Sequence, residues 1–201
     1  MSDIIEICGD KVRAGRIPSV LQRAGPRPTD GSTRFGLFST LFGPATNQIV
    51  VLNRHPGTAP ASVFDRRGGD AIDGSGDVMF RERTLALAER DAPYSASGYS
   101  LYELRVYDVE VGRTRELVQL MTSNLHFREK YSPNFGVWTP FTGPVERVIH
   151  LWAYRDFEHR IRVQEGARSD PDWMAYLDAV RPLITTMAVT VMTPLSGSLL
   201  A

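Results

Sequence analysis

The fold is decided by a segment that occurs twice, first as Gly36-Leu37-Phe38-Ser39-Thr40-Leu41-Phe42-Gly43-Pro44 and again, 100 residues later, as Gly136-Val137-Trp138-Thr139-Pro140-Phe141-Thr142-Gly143-Pro144. Each copy ends in Gly-Pro, which is a turn signal. The match continues without a gap from residues 49–52 to residues 149–152. An ordered match of this length predicts that one structural unit is present twice.

A second matching block lies upstream at a slightly different spacing. Ile5-Glu6-Ile7 aligns with Tyr102-Glu103-Leu104 at an offset of 97. The difference between the two offsets predicts a short insertion in the second copy, between its first helix and its second strand. We therefore expect two repeats, residues 1–95 and residues 98–201, of which the first is degenerate.

The second repeat shows the order of the elements most clearly. Apolar and polar side chains alternate from Leu101 to Val109, which indicates a half-buried strand, and Gly112 then turns the chain. Asp170-Pro171 predicts a helix start, with a capping aspartate before a proline in the first turn. The other patterns predict a helix at 114–130, hairpin strands at 135–141 and 145–154, a helix at 157–168 and a strand at 185–192. This β-α-β-β-α-β order is ferredoxin-like.

Two ferredoxin-like repeats in one chain predict an α+β fold in which each sheet carries helices on one face only. The two uncovered sheet faces can meet and close a single-chain, pseudo-dimeric α/β barrel. In the first repeat, the glycine- and aspartate-rich residues 56–78 predict a long loop in place of a helix, and residues 79–89 predict the last strand.

The composition is that of a soluble globular chain and excludes several classes of function. Of the 201 residues, 42% are hydrophobic, and 23 basic residues balance 23 acidic ones, so no basic surface for nucleic acid is expected. No stretch reaches the roughly 18 apolar residues of a membrane span, and the N-terminus lacks a secretory signal, which predicts a cytoplasmic protein. The single cysteine, Cys8, excludes an internal disulfide and a multi-cysteine metal site.

Three polar residues share one face of the strand at residues 101–109, namely Glu103, Arg105 and Tyr107. If the apolar face of this strand meets the helices, the polar face points into the barrel. A carboxylate there can move a proton, a guanidinium can hold a carboxylate or an enolate, and a phenol can donate a hydrogen bond to developing negative charge. The open alternative is that Glu103 and Arg105 pair with each other and serve the structure.

The same alternation groups His150, Trp152 and Tyr154 on a later strand, and Trp138 on the neighbouring hairpin strand joins them. His150 is a second candidate for proton transfer near neutral pH, or else a structural histidine of the interior. The three aromatic residues are predicted to bind the substrate as walls of a cavity inside the barrel.

The first repeat lacks this polar set on its third strand. The ungapped match aligns Val50 with His150 and Leu52 with Trp152. One half of the barrel would then be apolar and the other polar. We therefore expect a single asymmetric site, built by the second repeat.

Several blocks of the second repeat resemble the NIPSNAP family. In chain order they are YELRVY at 102–107, HFREKY at 126–131, GVWT at 136–139, GP at 143–144, VIHLWAY at 148–154 and DPDW at 170–173. The resemblance implies a fold of the dimeric α/β barrel superfamily, which includes haem-degrading monooxygenases, chlorite dismutase, muconolactone isomerase and small polyketide cyclases. It does not imply one reaction, because members of the NIPSNAP family lack a generally established one.

Three functions are compatible with these residues. The first is cofactor-independent isomerisation, cyclisation or dehydration of a small organic molecule, with catalytic residues Glu103, Arg105, Tyr107 and His150. The second is a haem-dependent, monooxygenase-like function with His126 or His150 as the axial ligand, and the third is a non-enzymatic interaction module. We expect a small-molecule ligand, no metal, and either a monomeric pseudo-dimer or a homodimer.

Overall fold

The computed structural model describes residues 3–23, 31–56, 77–90 and 98–200. The elements in chain order are β1 (Ile4–Val12), α1 (Ile17–Arg23), β2 (Thr33–Phe42), β3 (Gln48–His55), β4 (Val78–Arg90), β5 (Leu101–Val109), α2 (Thr114–Glu129), β6 (Asn134–Pro140), β7 (Arg147–Tyr154), α3 (Phe157–Arg168), α4 (Pro171–Val180), a 3-10 turn (Arg181–Leu183) and β8 (Ile184–Pro194). The predicted elements of the second repeat and the last strand of the first are confirmed to within about two residues. The loop predicted at 56–78 lies outside the described residues, except at its two ends.

Eight strands close an antiparallel barrel in the order β1-β3-β2-β8-β5-β7-β6-β4. This ring consists of β4-β1-β3-β2 from the first repeat and β8-β5-β7-β6 from the second, with the same order in each half. The halves are joined where β2 pairs with β8 and where β4 pairs with β6. The prediction of two fused repeats that form a single-chain α/β barrel is confirmed. The repeat boundaries at 95 and 98 stay a prediction.

The hairpins of the two repeats differ by one residue in their turns. Gly36 pairs with Leu52 in the first repeat, whereas Gly136 pairs with Leu151 in the second. The offset between the repeats is therefore 100 on the first hairpin strand and 99 on the second. The ungapped alignment of residues 49–52 with 149–152 is wrong by one residue, because the turn of the second repeat is shorter.

This shift changes the residues of the first repeat that correspond to the candidate site. Val51 pairs with Cys8 on β1, and His150 pairs with Arg105 on β5. Val51, and not Val50, is therefore the counterpart of His150. By the same register Asn53, and not Leu52, is the counterpart of Trp152.

Apolar side chains from both repeats fill the barrel interior. Tyr102 and Trp138 are fully buried there together with Phe35, Phe38 and Leu200. The Tyr102 hydroxyl donates a hydrogen bond of 2.7 Å to the Leu200 carbonyl, which ties the last described residues to the core. An eight-stranded barrel encloses little more space than its own side chains require. The interior is therefore a packed core.

The repeated glycine before each interior ring has a steric cause. At Gly136 the register with β7 shifts and φ is +151°, a backbone conformation that favours glycine. A Cβ atom there would lie 2.4 Å from the Trp138 ring. A Cβ atom at Gly36 would likewise lie 2.6 Å from the Phe38 ring. Both glycines make room for a large ring two residues further along the strand.

Three helices cover the outer face of the second repeat, whereas the seven-residue α1 covers part of the first. Asp156 caps α3 and Asp170 caps α4, each by accepting from backbone N–H groups of the first turn, as predicted for Asp170-Pro171. In the described part of the chain, no helix combines the length and the apolar character needed to cross a membrane.

Candidate functional site

A cavity of about 460 Å³ lies between the sheet of the second repeat and its three helices. Strand β5 contributes Arg105 and Tyr107, and β7 contributes His150 and Trp152. This volume is within the range of pockets that bind small molecules. The helices supply mostly apolar walls, among them Met121, Leu125, Ala167, Trp173, Tyr176 and Leu177.

The polar faces of β5 and β7 meet the helices, so the prediction that they point into the barrel is wrong. Leu104 and Leu151 belong to the interior core, whereas Tyr107 and Trp152 pack among helical side chains. Alternation separates the two faces of a strand but does not say which one lies inside. Here both faces are covered, and on the helical side the carboxylate of Glu103 finds a second cationic partner, Arg160.

Four of the seven predicted residues line the cavity: Arg105, Tyr107, His150 and Trp152. Glu103 and Tyr154 lie on the same side of the sheet and contact the arginines that line it. Trp138 lies on the opposite side, where it packs against Phe35 in the barrel core. Its predicted position in the wall of the site is wrong, because it alternates to the other face of β6.

Glu103 is fully buried and fixes the position of Arg105. Its two carboxylate oxygens accept from Arg105 Nε and Arg160 Nε, each at 2.5 Å. Arg105 Nη1 in turn lies 3.3 Å from the Tyr107 hydroxyl, to which it donates. Burial opposes the charge on Arg105, but Tyr107 and Glu103 outweigh it and hold the pKa of Arg105 above its ordinary value. The pairing of Glu103 with Arg105, left open above, is present.

A second arginine, Arg128 of α2, lines the cavity and is 5% exposed. Its guanidinium carbon lies 4.9 Å from the centre of the Trp152 ring, a cation–π contact, and its Nη2 donates to the Tyr154 hydroxyl at 3.2 Å. Its Nη1 has no hydrogen-bond partner among the described residues. Burial lowers the pKa of Arg128, because the charged form loses its hydration.

The contact between His150 and Trp152 fixes which nitrogen of His150 carries the proton. Trp152 Nε1 donates to His150 Nδ1 at 2.8 Å. Because an indole N–H is only a donor, Nδ1 must be the acceptor and Nε2 of the neutral ring carries hydrogen. That Nε2 is buried and has no partner in the described part of the chain. His150 therefore holds a buried N–H donor beside the cavity that its ring lines.

The charge state of His150 predicts a pH dependence of stability. Burial holds the pKa of His150 well below its ordinary value of 6.5, and repulsion by the positive charges of Arg105 and Arg128 lowers this pKa further. The unfolded chain therefore binds more protons below about pH 6.5, and His150 makes the folded state less stable as the pH falls, by at most about 1.4 kcal/mol per pH unit. Urea unfolding between pH 7 and pH 5 should show a shallower loss of stability in His150→Gln than in the parent.

The matched control for this measurement is His126→Gln, because His126 is exposed on α2. We expect its stability to follow the pH dependence of the parent protein. An equal slope for His150→Gln and the parent would show that His150 is not held neutral.

Sequence reasoning missed the residues that the helices contribute, above all Arg128, Trp173 and Tyr176. For Arg128 a signal was present. Leu117, Met121 and Leu125 form the apolar stripe of α2, and a residue three positions after Leu125 continues that stripe. An arginine on the buried face of a helix needs a partner inside, and this indicates a site.

The histidines do not fit axial ligation of haem. His126 is exposed on α2 and contacts Phe127, with ring centres 3.9 Å apart, away from the cavity. His150 holds its proton on Nε2, the only nitrogen directed away from Trp152, so the lone pair needed by a metal is committed to the indole N–H. For His150 to bind a haem iron through Nδ1, its contact with Trp152 would have to break.

The comparisons with known proteins agree with the geometry. The model of the NIPSNAP family matches residues 102–199. The NipSnap homolog of Dictyostelium discoideum is 25% identical over 177 residues, which cover 85% of this chain and 78% of that protein. Mouse NipSnap homolog 2 is 31% identical over 176 residues, or 83% of this chain. This match spans 62% of NipSnap homolog 2. Mouse NipSnap homolog 3B is 33% identical over 82 residues, which cover 40% of this chain and 33% of that protein.

Two solved structures share the fold over almost the whole chain. An anthrone oxidase-like protein superimposes with a TM-score of 0.70 at 9% identity, over 97% of this chain and 92% of its own. A monooxygenase-like protein from Lactobacillus acidophilus NCFM gives a TM-score of 0.69 at 9% identity, over 96% and 94%. These similarities concern the barrel alone. The sequence matches, independently of these structures, show that residues 102–199 within the second repeat are a NIPSNAP domain and that the chain is similar to NipSnap homologues.

Proposed function

We propose that this protein binds a small organic molecule in the cavity of the second repeat and promotes its isomerisation, cyclisation or dehydration without a cofactor. One observation carries the proposal: buried polar groups of β5 and β7 converge on a cavity with aromatic and aliphatic walls. Such a combination buries an apolar molecule and orients it by a few polar contacts, which is the usual character of a ligand site.

The polar groups in the cavity suit a reaction that passes through an enolate. Arg105 is held rigidly by Glu103, and it donates to the hydroxyl of Tyr107. A cation and hydrogen-bond donors that are fixed in advance stabilise an oxyanion more strongly than mobile water does. Of the two expected proton carriers, Glu103 is enclosed by its two arginines, and His150 keeps its proton on Nε2. The phenols of Tyr107 and Tyr176 remain in the cavity wall, and we assign proton transfer to Tyr107 because its hydroxyl contacts the guanidinium of Arg105.

Filling the cavity should abolish both binding and reaction. Ala167 is buried on the wall that α3 contributes, and Ala167→Phe would place a ring in the cavity. With 2-tetralone as an enolisable probe, isothermal titration calorimetry should give a Kd below about 1 mM for the parent protein. Proton NMR in deuterium oxide should show exchange of its α-protons faster than in buffer. Both signals should disappear in Ala167→Phe.

The matched control is Ala175→Phe, because Ala175 is an exposed residue of α4. It adds the same ring outside the cavity, and both signals should be retained. Binding without exchange would overturn the catalytic part of the proposal and leave a carrier protein. If neither 2-tetralone nor the acids 1-naphthoate and octanoate nor their amides bind, the whole proposal is overturned.

A further inference from the structure

The buried and half-buried polar groups around the cavity have an excess of positive charge. Arg105, Arg128 and Arg160 meet a single buried carboxylate, that of Glu103, which is already shared between two of them. Among the described residues, Arg128 pairs with no carboxylate, and its Nη2 donates to the Tyr154 phenol. A buried cation that lacks a counterion is costly. An anionic group of a ligand in the cavity would balance this charge.

Two buried hydrogen-bond donors beside the cavity have no acceptor among the described residues. They are Arg128 Nη1 and His150 Nε2, and both belong to residues that line the cavity. Leaving a buried donor without an acceptor costs free energy, and in folded proteins such groups are rarely left unpaired. His150 cannot turn its acceptor nitrogen towards the cavity without losing the Trp152 contact.

We infer that Arg128 and His150 form a site for the carboxylate group of the ligand. One carboxylate can accept from both donors, and it would neutralise the guanidinium that lacks a counterion. The ligand is then an organic acid with an apolar or aromatic body, held between Trp152 and the side chains of α2 and α4. This inference rests on the proposed function, because it names the class of molecule that the same cavity takes.

Matched acids and amides test the inference. The probes are 1-naphthoate and octanoate, each compared with its neutral amide by isothermal titration calorimetry. We expect each acid to bind about 10- to 100-fold more tightly than its amide, since a charge-assisted hydrogen bond replaces a neutral one. Equal binding of acids and amides would overturn the carboxylate site and leave the proposed function standing. No binding by any probe would overturn both.

Variants locate the carboxylate within the cavity. Arg128→Gln should reduce the acid affinity about 10-fold or more and change the amide affinity much less, because the positive charge that pairs with a carboxylate is lost. His150→Leu should also weaken the acid, whereas His150→Gln, which keeps a donor, should retain part of the affinity. The control is Arg115→Gln, which removes one positive charge from the exposed side of α2.

Selective weakening of the acids by the Arg128 and His150 variants, with little change in Arg115→Gln, supports the site. If Arg128→Gln does not fold, the pair of His150 variants still decides the result. Equal losses in Arg115→Gln and Arg128→Gln would overturn the inference, because the acids would then respond only to the overall charge of the protein.

Discussion

Glu103→Gln is expected to lower the free energy of unfolding by about 3–5 kcal/mol. The substitution keeps the size of the side chain but removes the fully buried carboxylate that, among the described residues, pairs with the half-buried guanidiniums of Arg105 and Arg160. Two poorly hydrated cations would then face each other without a counterion. Ligand binding should weaken as well, because Arg105 loses the contact that holds it in the cavity wall. Urea unfolding followed by circular dichroism measures the change.

The control for this prediction is Glu158→Gln on α3. Glu158 pairs with Arg162, but this pair is largely exposed, and such pairs contribute at most about 1 kcal/mol. The triple substitution Glu103→Leu, Arg105→Met and Arg160→Met should recover much of the lost stability, since apolar side chains of similar volume replace the whole ion cluster. A loss in Glu103→Gln no larger than that in Glu158→Gln would contradict the structural role of Glu103.

Trp138→Ala should leave ligand binding unchanged, whereas Trp152→Ala should weaken it. Trp138 is fully buried in the barrel core, so its removal should cost about 3–5 kcal/mol and leave the affinity for 2-tetralone and 1-naphthoate unchanged. Trp152 lines the cavity, contacts Arg128 and fixes the tautomer of His150, so its removal should weaken binding of 1-naphthoate about 10-fold or more. Calorimetry on the folded variants, with denaturation curves for each, separates the two effects.

Trp138→Phe serves as the conservative variant. Phe38 occupies the equivalent place in the first repeat and packs in the same core, so a phenylalanine should recover most of the stability lost in Trp138→Ala. Loss of 1-naphthoate binding in Trp138→Phe would show that the inner face of the sheet belongs to the site after all.

The sequence predicted the barrel because its elements are locally specified. The helix Pro171–Val180 begins directly after Asp170, which caps it as the Asp-Pro pair predicts. Gly36 and Gly136 recur because each hairpin places a large ring, Phe38 or Trp138, two residues after the glycine. These features depend on neighbours a few residues apart, and they can be recognised without knowledge of the fold.

The location of the site could not be predicted in the same way. Alternation identified Arg105, Tyr107, His150 and Trp152 as members of one face, and the structure brings them together. Which face lies inside depends on partners far away in the sequence, such as Arg160 for Glu103. The one-residue difference between the hairpin turns was hidden because Val50 and Val51 are chemically alike. Only the register of the strands distinguishes them.

The two seams where β2 meets β8 and β4 meets β6 have a consequence for how this barrel can evolve. A lone second repeat would leave the edges of β6 and β8 unsatisfied and would tend to recruit an identical copy, so that any change in its pocket would appear twice. Tethering the halves in one polypeptide removes that constraint. One half is then free to specialise while the other degenerates into a scaffold.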